Sequence, residues 1–454
     1  MNDEPMQIDT LPMADVANKK KKTQKILVDS PSIEPEQYIA NYTGHGRIDR
    51  LLFIADHCPM FTVDAYKLAV VELKKTPNFQ RYTQTVQRLN EVLASRGAPP
   101  YQLDTAWVDQ TQRLVRSQTE KLEAELKGYK NNHIKESIRM GHNELGNHYY
   151  NIGDLSNALK SYSRTRDYGT TAKHSVEMSL NIVKVSIELG NWSHIESYAQ
   201  KASTAVDAAE RPVVQAKCKC AMGLVHLDQG KFRLAGRQFV DVGFALGTNF
   251  SDILSPNDVA TYGGLCALAS FDRGELKRMV IDNAEFRQFL ELEPQIRELI
   301  YGFYNSKYAH CLKLMERLKP DLLLDVYLHT HVDAIYQNIR KKALVQYLSP
   351  FLSVNMATMA SAFNTTINLL EPELAGLIME GMVQARIDSH NKVIHAKRTD
   401  QRSTTFEKSL AMGHEYERQV RHMLVRMRLI RAEMFVRAPS ERPEREMRER
   451  SERH

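Results

Sequence analysis

No apolar run in this chain approaches the roughly 18–20 residues that a helix needs to cross a bilayer. The polar opening MNDEPMQIDT also lacks the apolar core of a secretory leader. These two absences lead us to expect a soluble, intracellular protein without membrane partners. Cysteine is scarce: Cys58, Cys218, Cys220, Cys266 and Cys311 are odd in number, scattered, and mostly set in apolar helical patterns. Such a distribution argues against a disulfide framework and predicts buried, reduced thiols. Cys218-Lys219-Cys220 has no second pair to complete a zinc site. Strand-like alternation is nearly absent outside one short stretch, and glycine and proline are modest at 21 and 16 in 454 residues. The expected class is therefore all-α. An excess of one charge is missing too: 61 Lys and Arg against 55 Asp and Glu leave +6, too little at this length to signal nucleic-acid binding.

Catalytic patterns are missing as well. There is no phosphate-cradling G-x-x-x-x-G-K-[ST] run, no G-x-G-x-x-G and no H-E-x-x-H. The nearest metal-like group is His329-Thr330-His331 with Asp325 and Asp333. The isopeptidase metal motif needs an aspartate eleven positions after the second histidine, where this chain has Lys342. If helical, an i, i+2 histidine pair cannot aim both rings at one ion. We expect no metal, no cofactor and no catalytic residue.

What is present is helical. Ile48, Leu51, Leu52 and Ala55 form one apolar face, Val63, Leu68, Ala69 and Leu73 a second, and Phe79, Tyr82, Val86, Leu89 and Leu93 a third. Short proline-containing connections between them predict antiparallel packing. After Gly97-Ala98-Pro99-Pro100, Asp104–Tyr129 reads as one long charged helix with Trp107, Leu114, Leu122 and Leu126 as its stripe, and another helix opens near Ile134.

A repeat follows. Gly153, Gly190 and Gly230 each have apolar or small residues two, five and nine positions later: Leu155, Ala158 and Tyr162; Trp192, Ile195 and Ala199; Phe232, Ala235 and Phe239. A weaker fourth copy starts at Gly274, with Leu276 and Met279. This is the spacing of helix–tight turn–helix units stacked as a right-handed, TPR-like helical-repeat solenoid, assigned with the N-terminal helices to residues 35–237.

Near the end the pattern becomes that of a winged helix. Met356, Met359, Ala360 and Phe363 mark a first helix, broken at Asn364-Thr365-Thr366. Leu370, Leu374, Leu377 and Ile378 mark a second, closed by Gly381. Two short runs around Asp388-Ser389-His390-Asn391 then form a strand–turn–strand wing. The second helix, Leu369–Met382, carries Glu371, Glu373 and Glu380 and no Lys or Arg, so it would repel phosphates. His395, Lys397, Arg398 and Arg402 supply some positive charge without interleaved aromatics. A protein-docking module is expected, and nucleic-acid binding is the rival of a different class.

Beyond a polar linker, Thr399–Thr405, a helix over 406–436 repeats Gly413, Val420, Met427 and Met434 every seven residues, with Tyr416, Met423 and Ile430 between them. Such a seam, with arginines around it, is how a helix joins a bundle. Tyr416, Val420, Met423, Met427, Ile430 and Met434 are the candidate partner contacts. The ends, 1–34 with Lys19–Lys22 and 437–454 with its mixed Arg and Glu, read as solvated tails.

Several blocks carry a resemblance. They are Tyr42-Thr-Gly, Arg47-Ile-Asp-Arg-Leu-Leu-Phe-Ile-Ala-Asp-His-Cys-Pro59, Leu103-Asp-Thr-Ala-Trp-Val108 and Ile134-Lys-Glu-Ser-Ile138. Gly153-Asp-Leu-Ser-Asn-Ala-Leu-Lys160, Tyr262-Gly-Gly-Leu-Cys-Ala-Leu268, Ala362-Phe-Asn-Thr-Thr366 and Asp400-Gln-Arg-Ser-Thr-Thr-Phe-Glu-Lys-Ser409 continue it. Over residues 38–436 the chain resembles the family of first subunits of the COP-9 signalosome, within the wider PCI-domain family. The resemblance implies a PCI domain over 238–402, with a helical part at 238–348 and the winged helix at 349–398. It implies a scaffold without catalysis, in a complex of cytoplasm and nucleus that removes the modifier Nedd from cullins and so regulates cullin-RING ubiquitin ligases. Those ligases would be indirect partners, and the isopeptidase would belong to another subunit. The equivalent subunit of the proteasome regulatory lid shares the architecture and is the nearest competitor. Other subunits would dock on the helix seam and on a wing edge, either Ala385–Asp388 or Lys392–Ala396, with Ala385, Ile387, Lys392, Val393 and Ile394 as candidates.

Overall fold

The computed structural model describes residues 28, 31–205, 210–397 and 401–434. The described chain divides into two units, Met1–Val383 and Gln384–His454. The first opens with α1 (Pro35–Ala40), α2 (Gly44–His57), α3 (Thr62–Leu73) and α4 (Phe79–Ser95). The three expected apolar faces meet in one core: Ile48, Leu51 and Ile54 of α2, Ala69, Val70 and Leu73 of α3, and Tyr82, Val86 and Leu89 of α4 are all buried. Each fully buried aliphatic side chain of this kind stabilises by about 1.5–3 kcal/mol. Asn78 caps α4, its Oδ1 accepting from Arg81 N at 3.0 Å, a bond worth about 1 kcal/mol.

Within the span 1–34 that reads as a solvated tail, the described residues reach into the fold. Val28 is buried in the same core, its N–H donating to the His57 carbonyl at 3.0 Å. Ser32 N donates to Asp321 Oδ1 at 2.8 Å. An apolar side chain and two backbone donors tie this segment down despite its polar surroundings. The lysine run lies outside the described residues, as does the Arg/Glu tail.

Then come α5 (Thr105–Asn131), α6 (Lys135–Ile152), α7 (Leu155–Arg164), α8 (Ala172–Leu189), α9 (Trp192–Ala205), α10 (Arg211–Asp228) and α11 (Phe232–Val240), each packed on its chain neighbours. Only the C-terminal half of the α5 stripe meets α6, where Leu126 packs with Ile138 and Leu145; Leu114 is exposed. Gly153, Gly190 and Gly230 end α6, α8 and α10 at φ of 93°, 73° and 71°. At each, the glycine N–H reaches back three residues and the next N–H five, as from Asp154 to Tyr149 O at 2.9 Å and Lys231 to His226 O at 2.9 Å. Left-handed backbone costs a side-chain-bearing residue about 1–2 kcal/mol, which is why glycine recurs there.

The fourth copy is elsewhere than expected. Gly274 sits inside the short helix α13 (Arg273–Glu275), with no positive φ, and the chain runs on as one π turn over Leu276–Ile281. The recurring turn is instead at Ser306, φ 61°, where Ser306 N meets Phe303 O at 3.1 Å and Lys307 N meets Gly302 O at 2.9 Å. Tyr308, Cys311 and Met315 stand two, five and nine positions later, all buried. Serine in the glycine position hid this copy.

Around it lie α12 (Pro256–Ser270), α14 (Ala284–Leu292), α15 (Pro294–Tyr304), α16 (Tyr308–Leu323) and α17 (Val332–Leu348). Helix α12 is buried almost all round. The Tyr262-Gly-Gly-Leu block acquires a physical reason here: a Cβ on Gly263 would meet Phe286 at 2.9 Å, and one on Gly264 would meet Ile296 Cγ2 at 2.6 Å.

The first unit ends with β1 (Ser353–Asn355), α18 (Met356–Ala362) and α19 (Ile367–Met379). The second holds β2 (Ala385–Asp388), β3 (Val393–Ala396) and α20 (Gln401–Arg431). The helix–helix–wing order is as expected. Strand β1 was not, because three residues carry no readable alternation. In the hairpin β2 runs antiparallel to β3, pairing Ala385 with Ala396 and Ile387 with Ile394. The expected linker at 399–405 is helical from Gln401.

Candidate docking surfaces and a buried arginine brace

Arg50 comes from the Arg47–Pro59 block, four residues before Ile54 on α2, and is 1 % exposed. A guanidinium taken out of water needs its charge and its N–H groups answered. Nη1 donates to Asp325 Oδ2 at 2.9 Å and to the Tyr38 hydroxyl at 2.9 Å. Nη2 donates to Asp258 Oδ2 at 3.0 Å and to the Ile253 carbonyl at 3.3 Å. The Tyr42 ring lies against its face at 4.0 Å, a desolvated cation–π contact.

The carboxylates are answered in turn. Asp258 accepts from the Tyr42 hydroxyl at 2.6 Å and from Ser255 N at 3.0 Å. Asp325 accepts from the Tyr262 hydroxyl at 2.6 Å, Tyr327 N at 2.9 Å and Leu328 N at 3.0 Å. Burial pushes the Asp258 carboxyl above its ordinary value, and Arg50 pulls the other way. The Tyr42 and Tyr262 hydroxyls are held far above the usual phenol range by burial, so they remain donors. The brace thus ties α1 and α2 to α12 and to the turn after α16. Its one legible hint was that Tyr42, Arg50 and Tyr262 all fall in blocks that carry the resemblance. The two aspartates gave no local signal.

Asp325 is thus part of the brace. Asp333 pairs with Lys319 at 2.7 Å. His329 and His331 lie in a turn rather than on a helix, both half-buried. His329 Nδ1 faces the Val326 carbonyl at 2.9 Å, and burial lowers both imidazoles below their ordinary value. Among the described residues no cluster of three or more His, Cys, Asp or Glu is arranged to hold an ion. All five cysteines are buried free thiols. Burial raises Cys218 and Cys311 to about 11 and Cys266 to about 12. No described helix is long and apolar enough to cross a membrane.

The C-terminal seam is displayed along α20. Tyr416, Met423, Met427 and Ile430 are 71 %, 63 %, 59 % and 65 % exposed, and Val420 is half-exposed. Phe406 and Leu410 extend the stripe toward the N-terminus. Met434 departs from expectation. Glu433, at φ 56°, closes the helix with its N–H on Ile430 O at 3.1 Å while Met434 N reaches Leu429 O at 3.0 Å. The seven-residue spacing continues past the point where the helix stops, so Met434 belongs to the cap.

The wing candidates divide. Val393 and Ile394 lie on β3, where Ile394 is buried. Lys392 stands in the turn at φ 54°, after Asp388 Oδ1 has accepted His390 N and Asn391 N, both at 3.1 Å. Ala385 and Ile387 lie on β2, paired to β3. On α19, Glu373 is engaged by Arg340 at 2.6 Å and Glu380 by Lys341 at 2.8 Å. Leu369 and Met379 are exposed.

Comparison with known proteins bears on these surfaces. Residues 104–279 match the family model for 26S proteasome subunit RPN7, residues 307–398 that for the PCI domain, and residues 401–427 that for the COP9 signalosome complex subunit 1 C-terminal helix. The chain is 48 % identical to COP9 signalosome complex subunit 1 of Arabidopsis thaliana over 91 % of this chain and 93 % of that one. It is 41 % identical to COP9 signalosome complex subunit 1b of Drosophila melanogaster, covering 96 % and 92 %. Against 26S proteasome non-ATPase regulatory subunit 6 of Oryza sativa the identity falls to 22 %, over 80 % and 91 %. A repeat region shared with the proteasome protein, a PCI domain and a signalosome-type terminal helix therefore occur in one chain, and this chain belongs to the COP9 signalosome complex subunit 1 family.

Proposed function

We propose that this protein is a non-catalytic assembly subunit of a COP9 signalosome, working in cytoplasm and nucleus within a complex that removes Nedd from cullins. The observation that carries the reading is the exposed seam Tyr416–Val420–Met423–Met427–Ile430 on the same helix that matches the family's terminal-helix model. An apolar stripe of this length in water favours burial against other helices. The wing strand β2 offers a second contact, through Ala385 and Ile387, by adding a neighbour's strand. Cullin-RING ligases are reached indirectly, through the assembled complex.

The test is Met423→Asp with Met427→Asp in the full chain, reconstituted with the other subunits. Both side chains are exposed, so the variant keeps the helical circular dichroism of the parent. We expect it to elute alone, outside the complex. Normal incorporation of this folded variant would overturn the reading. Salt-dependent retention on duplex DNA by the wild-type chain would favour the nucleic-acid class instead.

A further inference from the structure

The two halves of α20 carry different charge. Residues 401–417 mix Arg402 and Lys408 with Glu407, Glu415 and Glu417. From Arg418 to Arg431 there are five arginines, at 418, 421, 426, 428 and 431, and no acid. We propose that this half of the helix selects a partner helix whose seam-flanking positions carry Glu or Asp. The proposal rests on the bundle reading above and specifies the chemistry of the partner.

Position decides the argument. Arg426 immediately precedes the seam residue Met427, and Arg431 immediately follows Ile430, the two places that flank an apolar seam in a helix bundle and set partner choice. Arg421 and Arg428 each follow a seam residue, Val420 and Met427, and border the stripe on one side. Glu417 pairs with Arg421, and it lies at the junction with the mixed half. Within the basic half, Arg418 and Arg421, and again Arg428 and Arg431, stand three apart. Like charges at that spacing destabilise an isolated helix by about 0.2–0.5 kcal/mol per pair. The helix dipole accounts for arginine only in the last turn, hence for Arg428 and Arg431 and not for the other three. The basic half therefore carries self-repulsion that an acidic helix alongside it relieves. Single-stranded nucleic acid fits less well, because residues 418–431 contain no Phe, Tyr or Trp and offer a base only the lone imidazole of His422 to stack on.

The experiment uses the full-length chain and two four-heptad helical peptides with Leu in the seam, one with Glu and one with Lys on the flanking positions. We expect the Glu peptide to bind at least tenfold more tightly at ~0.1 M salt, where the screening length is about 10 Å, and the preference to collapse near 1 M, where it is about 3 Å. Arg418→Glu with Arg421→Glu, Arg426→Glu, Arg428→Glu and Arg431→Glu reverses the preference and abolishes reconstitution. Equal binding of both peptides, or tighter binding to a phosphatidylserine vesicle or a single-stranded RNA than to the Glu peptide, overturns the proposal. If the charge-reversed chain reconstitutes while Met423→Asp with Met427→Asp does not, this proposal falls and the bundle reading stands. If both variants reconstitute, the bundle reading falls with it.

Discussion

Replacing Arg50 with methionine removes the cation that faces Asp258 and Asp325 while keeping much of the side chain's volume. Each carboxylate keeps neutral donors, Tyr42 and Ser255 for one and Tyr262, Tyr327 and Leu328 for the other, but neither keeps its counter-charge. Breaking a buried ion pair from one side costs about 3–5 kcal/mol, a large share of the ~5–15 kcal/mol that holds a protein folded. The loss falls first where α1 and α2 meet α12. Amide exchange across α2 should therefore accelerate roughly a hundred- to several-thousand-fold at neutral pH, at about 1.4 kcal/mol per factor of ten.

The pH dependence carries a definite sign. Burial already raises the Asp258 carboxyl, and the opposing pull of Arg50 is gone in the variant. Between the unfolded and folded pKa values the native state then binds more protons than the unfolded one, so stability falls as pH rises. The deficit relative to wild type should be largest at pH 8 and shrink toward pH 5. Adding Asp258→Asn and Asp325→Asn should recover part of it. Unchanged α2 protection in Arg50→Met at pH 7, or an equal deficit at pH 5 and pH 8, would refute the reasoning.

The repeat turns make graded predictions. A Cβ on Gly190 meets nothing within 4 Å, so Gly190→Ala should cost only the left-handed backbone strain, about 1–2 kcal/mol. On Gly153 it would sit 2.1 Å from Asn78 Nδ2, the side chain that caps α4. Gly153→Ala should therefore lower the melting temperature distinctly more, and equal losses would remove the capping contact from the explanation. Ser306→Gly should raise stability by about 1 kcal/mol by relieving the same strain, read as a shift in the urea midpoint. Glu188 accepts from the Tyr150 hydroxyl, and burial pushes its carboxyl up to about 7. The native state thus holds an extra proton from the ordinary carboxylate range up to about pH 7, and wild-type stability falls across that window. Glu188→Gln should lose this dependence, gaining on wild type from pH 5 to pH 8; parallel melting curves for the two proteins would count against it.

The helices were legible because their periodicity is local. The face Ile48–Leu51–Ala55 and the offsets of two, five and nine after each glycine need only adjacent sequence to be seen. Ser306 escaped because the turn was recognised by its usual residue rather than by the apolar offsets, which Tyr308, Cys311 and Met315 satisfy. The seam on α20 was readable for a similar reason. Its end was not, since a heptad count carries no sign of where Glu433 turns left-handed. The wing candidates were narrowed by the left-handed turn at Lys392 and the burial of Ile394, neither of which alternation reveals. The brace lay beyond reach altogether, because a buried arginine is explained only by carboxylates 208 and 275 residues away.

Those separations also set a clock. At about 5–20 residues per second, a ribosome delivers Asp258 roughly 10–40 s after Arg50, and Asp325 roughly 14–55 s after it. Helices α2, α3 and α4 share an apolar core drawn mainly from their own residues and emerge together. They have time to assemble while Arg50 still faces water. Docking this early block onto α12 must wait for the last carboxylate, so α2, α3 and α4 are folded first and fastened late.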